Sequence, residues 1–537
     1  MKPKLLILAL GGAGLLIVGS VGALVWLNSN RTLQELMPAG TELIPQSAVM
    51  TVSVSTDPAQ WQRLRQLGTR QTQQMIADKL QAWQTQFFSD RGLDYSKDIQ
   101  PWIGQQATLA LIPISAATAS EAKQSLQMWV LPIANLAAAQ TVLSRLGSTS
   151  LANRTYKGVT IQQTGPQAAH PYAVTVVSNK FVLITSGPKL MEQAIDTQQG
   201  QPSLAQIARY PQALSQIEAG QPFAQIYLNL PTAIAQTTLT PTGASPLPSP
   251  SQALEYQGLV ANFNLESQAI RMSSALWLNP ISPGQLAQAS GGEKIAQRLP
   301  SDSLSMFAIG NFQQVWQNYL QGSNLPYSDL PRRLRDQFNT STGLDFDREF
   351  APWMTGEFGV ALLPTKGKGV QNTGMIILAQ ANDQTRAEKS LAKLDQIASD
   401  RLRYIVSKEK TDNGTLVTWK VPPTIPLASR GWLANKTAFF TFGGSITDQF
   451  VPKPKASLAN ASPFQTVTRS SLSAISSQFF FNLPGTFAQL ARNPILPKPG
   501  SNLRKTTQGV TGIGITASSP TNWSSRYDIR LQFESAQ

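Results

Sequence analysis

Apolar residues recur along this chain in three rhythms. An unbroken apolar run from Leu5 to Leu27 comes first, then a stripe at helical spacing, then many short runs of strand length separated by polar, Gly-rich and Pro-rich breaks. The stripe is Trp61, Leu64, Leu67, Met75, Ile76, Leu80, Trp83 and Phe87, apolar at intervals of three and four on a polar background. It predicts a helix with one face in the core. Leu109–Pro113 and Trp129–Ile133 read as strands, the second leading into an Ala-rich helix that ends near Leu146. Asn179-Lys180, between two apolar runs, reads as a tight hairpin turn because Asn tolerates positive φ. Phe223 to Leu230 is a further strand, ending in Asn229-Leu230-Pro231 before a short helix.

The whole pattern is then written a second time. Gly92-Leu93-Asp94-Tyr95-Ser96-Lys97-Asp98-Ile99-Gln100-Pro101-Trp102 returns as Gly343-Leu344-Asp345-Phe346-Asp347-Arg348-Glu349-Phe350-Ala351-Pro352-Trp353. The apolar run Val360–Pro364 follows at the same distance, as Leu109–Pro113 did. Upstream, Pro45 precedes Trp61 by the interval at which Pro300 precedes Trp316. Downstream, Ile376–Ala381, a helix ending near Leu394, Asn435-Lys436, and Gln478 to Leu483 before Pro484 repeat the remaining landmarks. Gly322, Pro326 and Pro331 interrupt the second copy's helical stripe, which predicts shorter helices there.

Strands joined directly by tight turns argue for an α+β fold with largely antiparallel sheets, since a doubly wound parallel sheet needs a helix at nearly every crossover. The expected plan is a cytoplasmic stub 1–4, a transmembrane anchor 5–27, a juxtamembrane linker 28–40, repeat unit 1 at 41–278, a linker at 279–293 and repeat unit 2 at 294–537. Pro280, Pro283, Gly284, Gly291 and Gly292 break regular structure in that linker. Pro-rich loops, 241–250 and 494–499, occupy equivalent places in the two copies.

At 1.5 Å per helical residue, Leu5 to Leu27 spans roughly 35 Å, enough for a tilted single pass. A cleaved signal peptide is the competing reading, with Val21-Gly22-Ala23 as its processing site. The run outlasts a usual signal-peptide core, which favours a retained anchor. Gly19 and Ala23 form a small-xxx-small pair of a kind common by chance in such spans. Lys2 and Lys4 hold the N-terminus in the cytoplasm, so the rest lies across the membrane, in a periplasm or thylakoid lumen. The net charge of +14 is uneven: residues 41–280 hold 14 Lys/Arg and 12 Asp/Glu, residues 281–537 hold 27 and 17. Arg401, Arg403, Lys408, Lys410, Lys420, Arg430 and Lys436, with Lys453 and Lys455, concentrate the excess and mark a possible surface for an anionic lipid, polymer or protein. A merely solubilising basic face is the plain alternative. Nucleic acid is not expected outside the cytoplasm.

Chemistry is sparse. With no cysteine, the chain has no disulfide, thiolate nucleophile, thiolate metal site or acylated cysteine. The lone His170 removes Ser-His-Asp triads and paired-His metal sites, and phosphate-loop and dinucleotide fingerprints are missing. Gly509 to Gly514 is glycine alternation within a strand pattern. Ser-x-x-Lys occurs repeatedly, as at Ser120/Lys123, Ser186/Lys189 and Ser390/Lys393, without the companion motifs of penicillin-recognising enzymes. Asp94 and Asp345 invite an acid–base or, with Asp347 and Glu349, a cation-site reading. Each stands before a short helical pattern, however, where an Asp caps the first turn, and Ser96 replaces Asp347 in the first copy. Trp102 and Trp353 read first as core anchors. No catalytic, cofactor-binding or metal-ligating set is assigned.

The anchor, the Pro-Ser opening of the units, the Gly-Leu-Asp-aromatic to Pro-Trp segment and Tyr156-Lys157-Gly158-Val159-Thr160-Ile161 together resemble the domain-of-unknown-function family three-three-five-two, known mainly from cyanobacteria. The resemblance covers nearly all of the exported region. It implies a membrane-anchored protein of the periplasm or thylakoid lumen and no activity, cofactor or catalytic residue. The expected function is a non-catalytic, membrane-tethered binding or scaffold protein. A Ser/Lys envelope hydrolase and a lipid or pigment carrier are the alternatives.

Overall fold

Strand pairing in each half of the chain follows one plan. The computed structural model describes residues 36–87, 94–113, 125–147, 151–165, 171–217, 220–237, 255–281, 286, 290–320, 329–365, 373–411, 414–421, 424–443, 446–492, 507 and 509–535. The anchor at 5–27, His170, Ser120/Lys123 and both Pro-rich loops lie outside them, and among the described residues no helix is long and apolar enough to cross a membrane. Two compact units divide between Gly284 and Gln285.

The N-terminal unit runs β1 (Met50–Ser55), α1 (Pro58–Arg65), α2 (Arg70–Phe87), a helical turn at Tyr95–Ile99, β2 (Gln106–Pro113), β3 (Ser125–Pro132) and α3 (Leu136–Gly147). It continues with β4 (Ala152–Tyr156), β5 (Val159–Gln163), β6 (Ala173–Val177), β7 (Phe181–Thr185), α4 (Pro188–Gln198), α5 (Tyr210–Gln216), β8 (Ala224–Asn229), α6 (Leu230–Thr237), β9 (Tyr256–Leu265) and β10 (Ala269–Leu278). Pairing within the unit is antiparallel throughout, in the order β4-β5-β6-β7-β3-β2-β1-β8-β9-β10.

The C-terminal unit runs β11 (Ser305–Ile309), α7 (Phe312–Leu320), α8 (Asp329–Thr342), α9 (Phe346–Glu349), β12 (Met354–Pro364), β13 (Thr373–Ala381) and α10 (Gln384–Gln396). After these come β14 (Ile405–Thr411), β15 (Gly414–Val421), β16 (Ile425–Leu433), β17 (Thr437–Phe442), α11 (Ser462–Thr468), β18 (Ser477–Asn482), α12 (Leu483–Arg492), β19 (Val510–Ser518) and β20 (Ser524–Phe533). Its antiparallel order, β14-β15-β16-β17-β13-β12-β11-β18-β19-β20, repeats the first unit strand for strand. The isolated bridges Pro45 to Ser203 and Pro300 to Ser457 are equivalent as well. The hairpins 178–180 and 434–436 have Asn179 and Asn435 at φ 56° and 60°, the conformation Asn tolerates.

Each sheet is covered on both faces. In the C-terminal unit, Met306, Ala361, Leu378, Phe439 and Phe480 meet Phe450, Phe464 and Val467 on one side. Trp353, Ala379, Trp419 and Ala428 meet Ala387, Leu391 and Leu394 of α10 on the other. The N-terminal unit packs Ile99, Trp102, Leu131 and Val182 against Ala139 of α3.

The helical stripe in the first copy differs from its expectation. It forms two helices, separated by a turn in which Gly68 takes φ 75°. Leu67 is buried there, but Met75, Ile76 and Leu80 are only half-buried, so helical spacing marked an amphipathic surface helix rather than a core one. In the second copy the helices are α7 and α8, with Pro331 in the first turn of α8 where no intrahelical donor is lost.

Candidate functional site

The repeated aspartates sit where a first helical turn needs an acceptor. Asp94 Oδ1 accepts from the amides of Ser96 at 2.9 Å and Lys97 at 3.1 Å, and from Ser96 Oγ at 2.8 Å. Asp345 Oδ1 accepts from Asp347 N at 2.9 Å and Arg348 N at 3.3 Å. Four residues after the carbonyl each one uses, the tryptophans close the motif: Trp102 Nε1 donates to Asp98 O at 2.6 Å and Trp353 Nε1 to Glu349 O at 3.0 Å. Both indoles are buried. The hydrogen bond from Ser96 Oγ, then that from Lys97 N, holds the Asp94 carboxyl below the usual carboxylate range. Asp98 is lowered too, first by the amide of Asp94, then by its ion pair with Arg145.

The carboxylates of the second copy diverge. Asp347 takes Trp316 Nε1 at 3.0 Å and Arg335 at 3.5 Å, while Glu349 takes Lys393 Nζ at 2.6 Å. Ser390 Oγ in turn donates to the backbone oxygen of the same residue, Glu349 O, at 2.6 Å. Ser186 Oγ accepts from Gln127 N at 3.0 Å.

The basic residues do not form one surface. Arg401, Arg403, Lys408, Lys410 and Lys436 are exposed and Lys420 is half-buried, but Arg430 is 1% exposed and must be removed from the set. Its Nε and Nη2 reach Asp395 at 3.0 and 2.5 Å, and Nη1 reaches Glu388 at 2.9 Å. Trp419 Nε1 and Trp432 Nε1 donate to the same two carboxylates, each at 2.9 Å. Burial opposes the guanidinium charge, yet the Asp395 and Glu388 carboxylates outweigh it and raise the pKa of Arg430. Inward alternation on β16 decides this, because Arg430 pairs with Val417 on the face that α10 covers. Glu388 and Asp395, seven residues apart on α10, are the signal in the sequence that finds this cluster.

The remaining cations divide by strand alternation. Lys408 pairs with Val417 and Lys410 with Thr415, whereas Lys420 pairs with Ile405 on the other face of the same ribbon. β14 is an edge strand, as β4 is in the first unit. On β4 and in the turn after it the charges are neutralised: Arg154 meets Glu192 at 2.5 Å and Lys157 meets Asp196 at 2.7 Å, both acids from α4. The second unit has only the short turn Thr447–Gln449 at that place in the chain order. Three large apolar side chains beside these cations were not singled out by the sequence: Leu402, Ile405 and Ile425, 46%, 45% and 64% exposed. A second omission is Arg526 on β20, 1% exposed, with Nε and Nη2 unpaired, whose burial pushes its pKa down to about 9.

Fold and site together define a duplicated α+β protein with antiparallel sheets and no assembled catalytic group among the described residues. The chain belongs to the family described as "Protein of unknown function (DUF3352)", whose pattern matches residues 9–533. No curated protein matches it. Solved structures titled "Structure of crystal form I of TP0453" and "Structure of crystal form IV of TP0453" are 11% and 12% identical, cover 46% and 45% of this chain and 82% and 81% of their own, and align with a TM-score of 0.26.

Proposed function

We propose that this is a non-catalytic binding or scaffold protein, tethered to a membrane through residues 5–27 with both units on the periplasmic or lumenal side. The observation that carries the non-catalytic reading is the engagement of Ser390 and Lys393. A serine nucleophile activated by lysine needs the amine within hydrogen-bond reach of its hydroxyl. Here the hydroxyl is donated to a backbone carbonyl and the ammonium is held by Glu349. The long apolar run behind Lys2 and Lys4 supports the tether and its direction.

Activity-based labelling tests the first part. A fluorophosphonate and a β-lactam probe are expected to modify no serine of the detergent-solubilised chain; stoichiometric labelling of one serine would establish the hydrolase instead. Cross-linking in intact membranes, followed by purification, is expected to recover a partner in fixed ratio. Repeated recovery of the chain alone would count against a scaffold.

A further inference from the structure

One corner of the C-terminal unit combines cations and aliphatic side chains that the protein leaves uncovered. The chain leaves α10 through a wider turn at Ile397–Arg401, in which Leu402 N donates to Ile397 O at 3.0 Å and Tyr404 N to Ala398 O at 2.8 Å. Arg403 stands at φ 59°, in the left-handed region, where glycine would be cheaper. Ile405 then pairs with Lys420, Lys420 with Pro426 and Val421 with Ile425, so the ends of β14, β15 and β16 meet at this corner, with Ile405 and Lys420 on one face and Ile425 at the rim on the other. Among the described residues Arg401, Arg403 and Lys420 enter no ion pair. Leu402, Ile405 and Ile425 are three of the nine exposed large hydrophobics among the described residues.

We infer that this corner docks on an anionic phospholipid bilayer. Basic groups are drawn to anionic headgroups while short aliphatic side chains enter the interface, and a surface carrying both binds more strongly than one carrying either. An acidic protein would satisfy the arginines without calling for three exposed aliphatic groups in water. Among its described residues the first unit, whose edge cations are already paired with α4, lacks the feature, so docking is assigned to the second copy. The inference rests on the tethered reading, which keeps the corner close to a bilayer.

The chain contains no cysteine, so Ile425→Cys offers a single attachment point for an environment-sensitive fluorophore. The full chain is reconstituted through its N-terminal segment into phosphatidylcholine vesicles, with or without phosphatidylglycerol. Emission at position 425 is expected to shift to the blue and to be quenched by lipid-borne spin labels only when phosphatidylglycerol is present. The combined Arg401→Glu, Arg403→Glu, Lys420→Glu variant should weaken that response about tenfold or more, and high salt should reduce it. A label at Asn153→Cys on β4 should stay aqueous. Equal emission in both lipids, an unchanged response in the triple variant, or an equal response at position 153 overturns the proposal. Alkaline carbonate extraction reads the tether separately. If the chain is released, the tether is wrong, and docking is read by flotation of the same labelled chain with preformed vesicles of the two compositions.

Discussion

Asp94 and Asp345 show how a residue type tempting for catalysis is spent on geometry. Each accepts two amide hydrogens that a first helical turn leaves without partners. Asp345→Ala should cost about 1 kcal/mol in denaturant unfolding, and Asp345→Asn much less, because Asn caps nearly as well. The lowered carboxyls of Asp94 and Asp98 fix a pH dependence. Their folded pKa values lie below the unfolded value of about 3.9, so their contribution is complete at neutral pH and is lost as pH falls below about 4 through the folded values. Titration by NMR should find both midpoints below that of an unperturbed aspartate; a midpoint above it refutes the assignment. Arg430 is the residue that composition misplaced. Arg430→Ala leaves Asp395 buried without its cation and should cost about 3–5 kcal/mol, whereas Arg430→Met, which keeps volume, should cost less when Asp395→Leu accompanies it. A small, equal loss in both would show the cluster to be loosely hydrated.

At the scale of elements, close approach explains what periodicity leaves open. The glycine alternation on β19 reflects α11: a Cβ on Gly514 would come within 2.1 Å of Val467 O, and one on Gly512 within 3.0 Å of Val467 Cγ1. Gly514→Ala therefore has to push α11 off the sheet, and a loss of about 1–3 kcal/mol is expected with faster amide exchange across 462–468. An unchanged exchange pattern would mean that the helix is not held against this strand. Edge strands follow a similar logic. β4 and β14 are charged, which discourages pairing with another chain, but only β4 has its cations neutralised by a neighbouring helix. Strands and hairpins were legible from alternation and from the Asn-Lys turns. The half-exposed helix α2 was not, since an apolar stripe shows which face is driest without showing that anything covers it.

For the molecule as a whole, the tether proposed at residues 5–27 would set a topology that labelling can check. Single cysteines placed at Asn153 and at Lys408, both exposed, should react with a membrane-impermeant maleimide added from the non-cytoplasmic side, and one at Lys4 should not. Reaction of all three from one side would sink the single-pass arrangement. Two copies of one strand order also differ in their side chains. Trp102 and Trp353, shared by the copies, are buried in both, while among the described residues the uncovered corner and the Arg430 cluster occur in one copy only.

By itself the sequence determined the duplication, the antiparallel α+β class, the strand and turn positions and the absence of thiol and paired-histidine chemistry. Those are local or countable properties: alternation, spacing, turn residues and composition. Tertiary structure alone decided that Arg430 faces Asp395 while Lys408 faces water, that Lys393 binds the Glu349 carboxylate, and that Leu402, Ile405 and Ile425 are left exposed near the ends of β14 to β16. Strand alternation puts Lys408 and Arg430 on one face, since both pair with Val417, but only the packing of α10 over β16 and the edge position of β14 say which part of that face is covered and which is left to water.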